Sequence, residues 1–316
     1  DPTTDFYRTQ GERMAAKNLW GNVYFEQYSK SHRSSLLKNF SRKLFAPMCP
    51  SNPEWAEVLV DRGKSLLSLG PTGLIYDQIG GQFPYPCFDT SHPHTKPSLA
   101  FPEGRQTLLL GLRRDLKKVS PEFGFMTELI NDLYSQYVDV LHGVPGCQYQ
   151  ETSFPQMFRY TFPDVIITAR QQAPRADIKQ ANFALAYGLR LELEVRYRAD
   201  METIRKNQQS HLKTYLRKIS ALRDRYWDLL GEGSFIDTDG LHSLNPSLSV
   251  TGFERGTRRA VVVWNTTQQS QPISLRVPGY QLVEVAGVDG VMPAHGKLGT
   301  QQVAVFVYHK HPSQGH

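Results

Sequence analysis

Two apolar runs, GLIYD at 73–77 and GFMTE at 124–128, each end on a carboxylate and each follow an amphipathic helical pattern. This alternation is the strongest constraint on the fold. Strand-like runs joined by helices pair side by side in a parallel sheet, because each helix returns the chain to the edge it left. The first helix is expected over NPEWAEVLVDRGKSLLSLG, with Asn52 as cap, Pro53 in the first turn and Gly70 at its end. The second is expected over EGRQTLLLGLRRDLKKVSP, stopped by Pro121.

Carboxylates at the C-terminal ends of successive parallel strands sit where a (β/α)8 barrel keeps its catalytic rim. A complete barrel takes about 250 residues, yet the stretch before Asp77 holds no clean run of earlier βα units. The expected fold is therefore α/β plus all-β. The C-terminal part of a TIM-type barrel occupies residues 1–232, and an antiparallel β-sandwich occupies 233–316. The sandwich rests on SLSVTGFER, RRAVVVWNTT, PISLRVPG, YQLVEVAGVDG and QQVAVFVYHK, short β runs separated by glycine or polar turns. Between the two parts lie FRYTFPDVIIT, read as strand-like, ANFALAYGLRLELEV, and one long helix from Met201 to Leu230. The missing strands are expected upstream in a longer protein or on another chain. The start, DPTTDFYRTQ, has neither an initiating Met nor a signal-peptide apolar region, so a processed form, a trimmed form or a fragment is expected.

Apolar residues make up 40% of the chain and charged residues 21%, the proportions of a soluble globular protein. No apolar run reaches the ~20 residues needed to cross a bilayer. The net charge of +6 raises the question of nucleic acid. The densest basic run, Arg190 to Arg225, is interleaved with Glu192, Glu194, Asp200, Glu202 and Asp224, so it reads as a solvated helix face and no nucleic-acid partner is expected. Cys49, Cys87 and Cys147 stand far apart without a CxxC pair, which argues against a zinc knuckle. GxSxG, GxGxxG and Walker spacings are absent from the quoted motifs, so serine-hydrolase and nucleotide-loop chemistry find no support.

Asp77 and Glu128, on neighbouring strands, form the pair that glycoside hydrolysis needs. One carboxylate attacks the anomeric carbon and one carboxylic acid protonates the leaving oxygen. Each residue also has a plain structural reading: Asp77 as a turn or capping aspartate, Glu128 as an acid favoured by a helix start. The loop YPCFDTSHPHTKPS places His92 and His94 at HxH spacing with Asp89 nearby. Those types suit a metal, but with no third clear ligand the pair reads first as hydrogen-bonding groups for sugar hydroxyls or as plain loop. Arg159, in FRYTFPD, reads as a substrate clamp or as a carboxylate's structural partner. No metal and no cofactor are expected.

The blocks MCPSNPEW, GPTGLIYDQIG, CFDTSHPH, GFMTELIND and FRYTFPD, followed by a β-rich tail, resemble a group of large bacterial glycoside-hydrolase-like barrel proteins. Their barrels are similar to those of the α-N-acetylgalactosaminidases, including endo-acting enzymes. The resemblance runs from about Met48 to the end. It implies a strand-end Asp nucleophile and a Glu acid/base on the next strand, roles that fall on Asp77 and Glu128. It further implies a retaining mechanism on an α-linked glycan, a multidomain protein, and an extracellular or periplasmic location. Tyr76, Gln78, His92, His94, Arg159 and Tyr160 are the expected substrate contacts. Two other readings stand beside it: a carbohydrate-binding protein that does no chemistry, and a fragment of a larger glycosidase that needs its N-terminal half.

Overall fold

The computed structural model describes residues 1–28, 43–81, 83–143, 155–172, 177–194, 210–292 and 295–311. Cys147 and the first nine residues of the expected long helix lie outside them. The chain divides into two compact units, Asp1–Val140 and Leu141–His316.

The first unit opens with a helical segment, Tyr7–Gly11, running into α1 (Glu12–Met14), and an antiparallel pair, β1 (Glu26–Tyr28) with β2 (Lys43–Phe45). Helix α2 (Pro53–Leu67) starts as its sequence requires: the Asn52 side chain accepts a hydrogen bond from the Trp55 N–H at 3.2 Å. Just past its end Gly70 takes φ +93°, which turns the chain into β3 (Gly73–Tyr76). Gly63 lets α2 come close to what lies beneath it. A Cβ there would stand 2.3 Å from the Tyr76 hydroxyl and 2.8 Å from a Leu116 methyl. Helix α3 (Pro102–Val119) buries Gly104, Arg105, Leu108, Leu109, Leu112 and Leu116, one helical face. Strand β4 (Gly124–Glu128) follows, parallel to β3 and in register from Gly73 opposite Gly124 to Tyr76 opposite Thr127. A short helix, α4 (Asp132–Ser135), is capped by Asn131, whose Oδ1 accepts from the Tyr134 N–H at 2.7 Å. Strand β5 (Val140–Gly143) runs across the division between the units.

The second unit begins with α5 (Gln156–Thr161), β6 (Ile166–Gln172), α6 (Ile178–Ala186) and β7 (Arg190–Glu194). Strands β6 and β7 are parallel, with Thr168 opposite Arg190 and Arg170 opposite Glu192. Two expectations change here. Phe158 to Thr161 are helical, not extended; the strand starts only at Ile166, beyond Pro163, which cannot donate to a ladder. Arg190 to Glu194 form a strand, so the start of the basic run is not a helix face. Helices α7 (Ser210–Arg225) and α8 (Trp227–Leu230) lead to the β-rich tail.

That tail is antiparallel throughout. Strands β8 (Ser234–Asp237), β9 (His242–Ser243), β10 (Leu248–Arg255), β11 (Arg258–Asn265), β12 (Gln271–Pro272), β13 (Leu275–Arg276), β14 (Tyr280–Gly287), β15 (Gly290–Val291), β16 (Lys297–Leu298) and β17 (Val303–Lys310) follow in order. Six of them make one sheet in the order β15-β14-β17-β11-β10-β8, and the rest pair as β12-β16 and β13-β9. The central strands β11 and β17 read as near-continuous apolar runs because Ala260 to Trp264 and Val303 to Tyr308 are all buried. Asn182 of α6 donates to the Gln301 carbonyl at 2.7 Å, and Arg223 of α7 to the Leu189 carbonyl at 2.7 Å. The Asn182 bond, with the Thr251 hydroxyl on the Ala186 carbonyl, fastens the last βα elements to the β tail within one unit, and the Arg223 bond ties α7 to the start of β7. No helix among the described residues is long and apolar enough to cross a membrane.

Candidate active site

The β3–β4 register ends on Tyr76 and Thr127, so Asp77 and Glu128 are each the next residue on neighbouring strands. Asp77 is exposed at the strand end and Glu128 is half-buried. Neighbouring strands lie about 4.8 Å apart, so register mates start with their side chains already close.

The turns after the two acids are built against each other. Gln78 and Leu129, the residues that follow Asp77 and Glu128, both hold left-handed backbones, φ 64° and 69°. Side chains other than Gly, Asn and Asp rarely adopt this conformation. Thr127, fully buried between the acids' neighbours, donates its hydroxyl to the Tyr76 carbonyl at 2.8 Å and accepts from the Gly80 N–H at 3.0 Å. The Asn131 amide donates to the Gly80 carbonyl at 3.3 Å. The glycines after Asp77 answer a packing need. A Cβ on Gly80 would stand 2.7 Å from the Glu128 carbonyl oxygen, and one on Gly81 would stand 2.1 Å from a Leu129 methyl. The DQIGG turn therefore lies down on the ELI turn, and only glycine allows that approach.

Asp77, Gln78 and Ile79 border a cavity of about 290 Å³ whose other walls include Tyr7, Trp55, Phe101 and Arg105. Arg105 is a charge on the apolar face of α3, buried with its guanidinium 5.0 Å from the Phe101 ring centroid and 5.9 Å from that of Tyr134. A carboxylate, a buried cation and aromatic walls are the groups that grip a sugar ring. A larger hollow, about 870 Å³, lies between α2 and α3 and has neither acid in its walls.

The other expected contacts are placed in different surroundings. Tyr76 is turned toward α2, its hydroxyl donating to the Leu59 carbonyl at 3.0 Å and its pKa pushed up to about 12 by burial. His92 is buried, with Nε2 2.8 Å from the Arg13 carbonyl and Nδ1 3.4 Å from Cys87 Sγ. His94 lines the α2–α3 hollow. Both histidines fold beside Cys49 and Cys87, which the sequence reading left unconnected to them. Arg159 is buried in the second unit, where one guanidinium nitrogen donates to the Pro163 and Val165 carbonyls at 3.0 and 2.6 Å, closing the end of α5. Tyr160 is exposed on that helix.

The sequence reading also passed over an ion pair in the second unit. His142 of β5 sits 2.7 Å from Glu192 Oε1 of β7, and the Thr168 hydroxyl of β6 donates to Glu192 Oε2 at 2.7 Å. Burial pushes the Glu192 carboxyl up, but the bonds from His142 and Thr168 outweigh it, with the charges of His142 and Arg170, and hold it below its ordinary value. The group is thus an ionised carboxylate fixed by three strands. Its sequence signal was the period-2 pattern of RLELE, which marks a strand and puts Glu192 on one face with Arg190 and Glu194.

The comparisons with known proteins agree with this architecture. A protein of Bacteroides thetaiotaomicron named "Putative glycoside hydrolase" is 23% identical over 308 residues, covering 92% of this chain and 44% of that protein. The chain thus spans less than half the length of the curated relative it matches. Among solved structures, an α-amylase from Lactobacillus plantarum superposes with a TM-score of 0.60 at 9% identity, covering 97% of this chain and 75% of that one. An α-amylase from H. orenii gives 0.57 at 13% identity, covering 98% and 76%. These likenesses show the fold: a parallel α/β sheet of the barrel type followed by a C-terminal antiparallel β-sheet domain, as the strand–helix alternation and the β-rich tail led one to expect. Residues 1–169 match the family described as "Domain of unknown function (DUF6259)", and the chain belongs to that family.

Proposed function

We propose that the protein is a retaining glycoside hydrolase acting on an α-linked glycan, with Asp77 as nucleophile and Glu128 as general acid/base. The observation that carries this is the placement of the two acids. They end adjacent parallel strands one register step beyond Tyr76 and Thr127, and Asp77 borders a cavity with aromatic walls. A retaining pair needs carboxyls about 5–5.5 Å apart, and an inverting pair about 6.5–9.5 Å. The interstrand spacing of about 4.8 Å favours the shorter separation.

In this mechanism ionised Asp77 attacks the anomeric carbon while Glu128 gives its proton to the departing oxygen. A glycosyl ester forms on Asp77 and the aglycone leaves as an alcohol. Glu128, now ionised, takes a proton from water. The hydroxide equivalent displaces Asp77, and the sugar leaves with its original anomeric configuration. Arg105 and the aromatic walls orient the ring, and Gln78 is within reach as a hydroxyl partner.

The named relative supports the reaction class, and the α-amylase folds support an α-linked substrate. Whether the sugar is a glucoside or an α-N-acetylgalactosaminide is decided by assaying aryl α-glycosides of both, with anomeric product followed by NMR. The expected result is turnover with net retention that is lost in Asp77→Asn. Near-normal turnover by Asp77→Asn sinks the nucleophile assignment. Binding of a glycan that survives Asp77→Asn with Glu128→Gln, without turnover by the parent chain, favours a carbohydrate-binding role instead. An extracellular or periplasmic location goes with the glycan-degrading reading and is checked by cell fractionation.

A further inference from the structure

We propose that Cys49, Cys87, His92 and His94 bind one zinc ion in a closed structural site. One candidate ligand atom from each residue lies within 4.8 Å of every other. Zinc bonds of about 2.3 Å to sulfur and 2.1 Å to nitrogen put tetrahedral ligands about 3.6 Å apart. Cys87 Sγ and His92 Nδ1 already stand at such an edge, 3.4 Å, and the other separations need only a small contraction.

The surroundings fit a metal better than simple packing. Both thiols are fully buried and unlinked, and His92 is buried with them. His94 directs a buried Nε2 that has no hydrogen-bond partner. A histidine kept only to fill space has no reason to leave that nitrogen unsatisfied. His92 carries the support typical of a ligand. Its Nε2–H donates to the Arg13 carbonyl at 2.8 Å, which leaves the Nδ1 lone pair facing Cys87. Two thiolates and two imidazoles in tetrahedral reach select zinc over the hard cations, and four protein ligands leave no open position for catalysis.

The site also explains how an irregular segment is held. The chain from Phe83 to Lys96 has no helix or strand, and long structureless loops need an organiser. Backbone bonds bring three strips together: Cys49 N–H on the Met14 carbonyl at 2.9 Å, Phe88 N–H on the Lys17 carbonyl at 2.8 Å, and Cys87 N–H on the Pro97 carbonyl at 3.0 Å. Zinc would fasten the strips through side chains. Phe101, which shares one buried cluster with both cysteines, is also a wall of the cavity beside Asp77, so the staple braces that wall.

The test is the metal content of the chain purified under reducing conditions without chelators. About one zinc per chain is expected by mass spectrometry of the metal. Cys147→Ser keeps it, and Cys87→Ser and His94→Ala lose it on dialysis against a mild chelator. Cobalt in place of zinc gives thiolate-to-metal charge-transfer and tetrahedral d–d bands, which lose intensity in His94→Ala. His94→Ala removes only a half-buried ring, so its fold is checked by circular dichroism beside the metal measurement. A folded parent chain that carries no zinc and takes up no cobalt overturns the site. So does a Cys49–Cys87 disulfide in the peptide map of the chain as isolated, before any chelator is applied.

Discussion

Gln78 and Leu129 hold the same place in the turns after neighbouring strands: each follows a strand-end acid, and each has a left-handed backbone, φ 64° and 69°. One such residue is a local accident; two in register are a built feature. A strained turn after each acid fixes the direction in which the acid leaves its strand, and such strain collects at functional sites. Gln78→Gly removes the strain but adds freedom to the unfolded chain, so stability stays within about 0.5 kcal/mol. Gln78→Val puts a β-branched side chain at positive φ and costs about 1–2 kcal/mol more than glycine does. Urea midpoints of the two variants check this, and equal midpoints would show that the turn is not held left-handed.

Thr127 is the hinge pin between the two turns. Thr127→Val keeps the shape and deletes both hydroxyl bonds, leaving the Gly80 N–H and Tyr76 carbonyl without their partner. The expected cost is about 1–3 kcal/mol. Because the DQIGG turn is then free to lift from Glu128, kcat should fall while KM changes little. A loss of stability with kcat intact would separate the hydroxyl from the chemistry.

The two acids should fail differently. Asp77→Asn removes the group that makes the glycosyl ester and is expected to cut turnover by at least about 10³-fold on every substrate. Glu128→Gln removes a proton donor, worth about 10²–10⁴-fold. That loss should appear on glycosides with poor leaving groups and shrink on nitrophenyl glycosides, which need no proton. The same loss on both substrate types would remove Glu128 from the acid role.

The parts of this fold written locally were legible. Asn52, Pro53 and Gly70 act through neighbours in sequence, so the cap, first turn and stop of α2 read directly. Asp77 and Glu128 stood out because a carboxylate ending an apolar run is a local irregularity. What depended on distant chain was hidden. Cys49 reaches His92 and His94 only through backbone bonds to Met14 and Lys17, so the HxH pair looked short of ligands. Nothing beside Gly80 and Gly81 in the sequence calls for glycine; their need comes from Glu128 and Leu129. Arg159 sat in a strand-like stretch because its carbonyl partners, Pro163 and Val165, cap a helix only once that helix exists.

Glu192 supplies a test in pH. Its carboxyl is held below the ordinary value, because the bonds from His142 and Thr168 outweigh the burial that pushes it up. The unfolded chain therefore binds its proton more readily than the folded one. The stabilisation is complete above the unfolded value of 4.5 and is lost as pH falls through the lower native value. Glu192→Gln has no carboxyl to titrate, so its urea midpoint should fall less steeply than the parent's below that pH. Above pH 5 the variant should instead be the less stable, since the ionised bond to His142 is gone. Near-UV circular dichroism of both proteins across this range gives the two slopes. Parallel slopes would mean that the Glu192 carboxyl is titrated alike in both states and that the strands do not hold its charge.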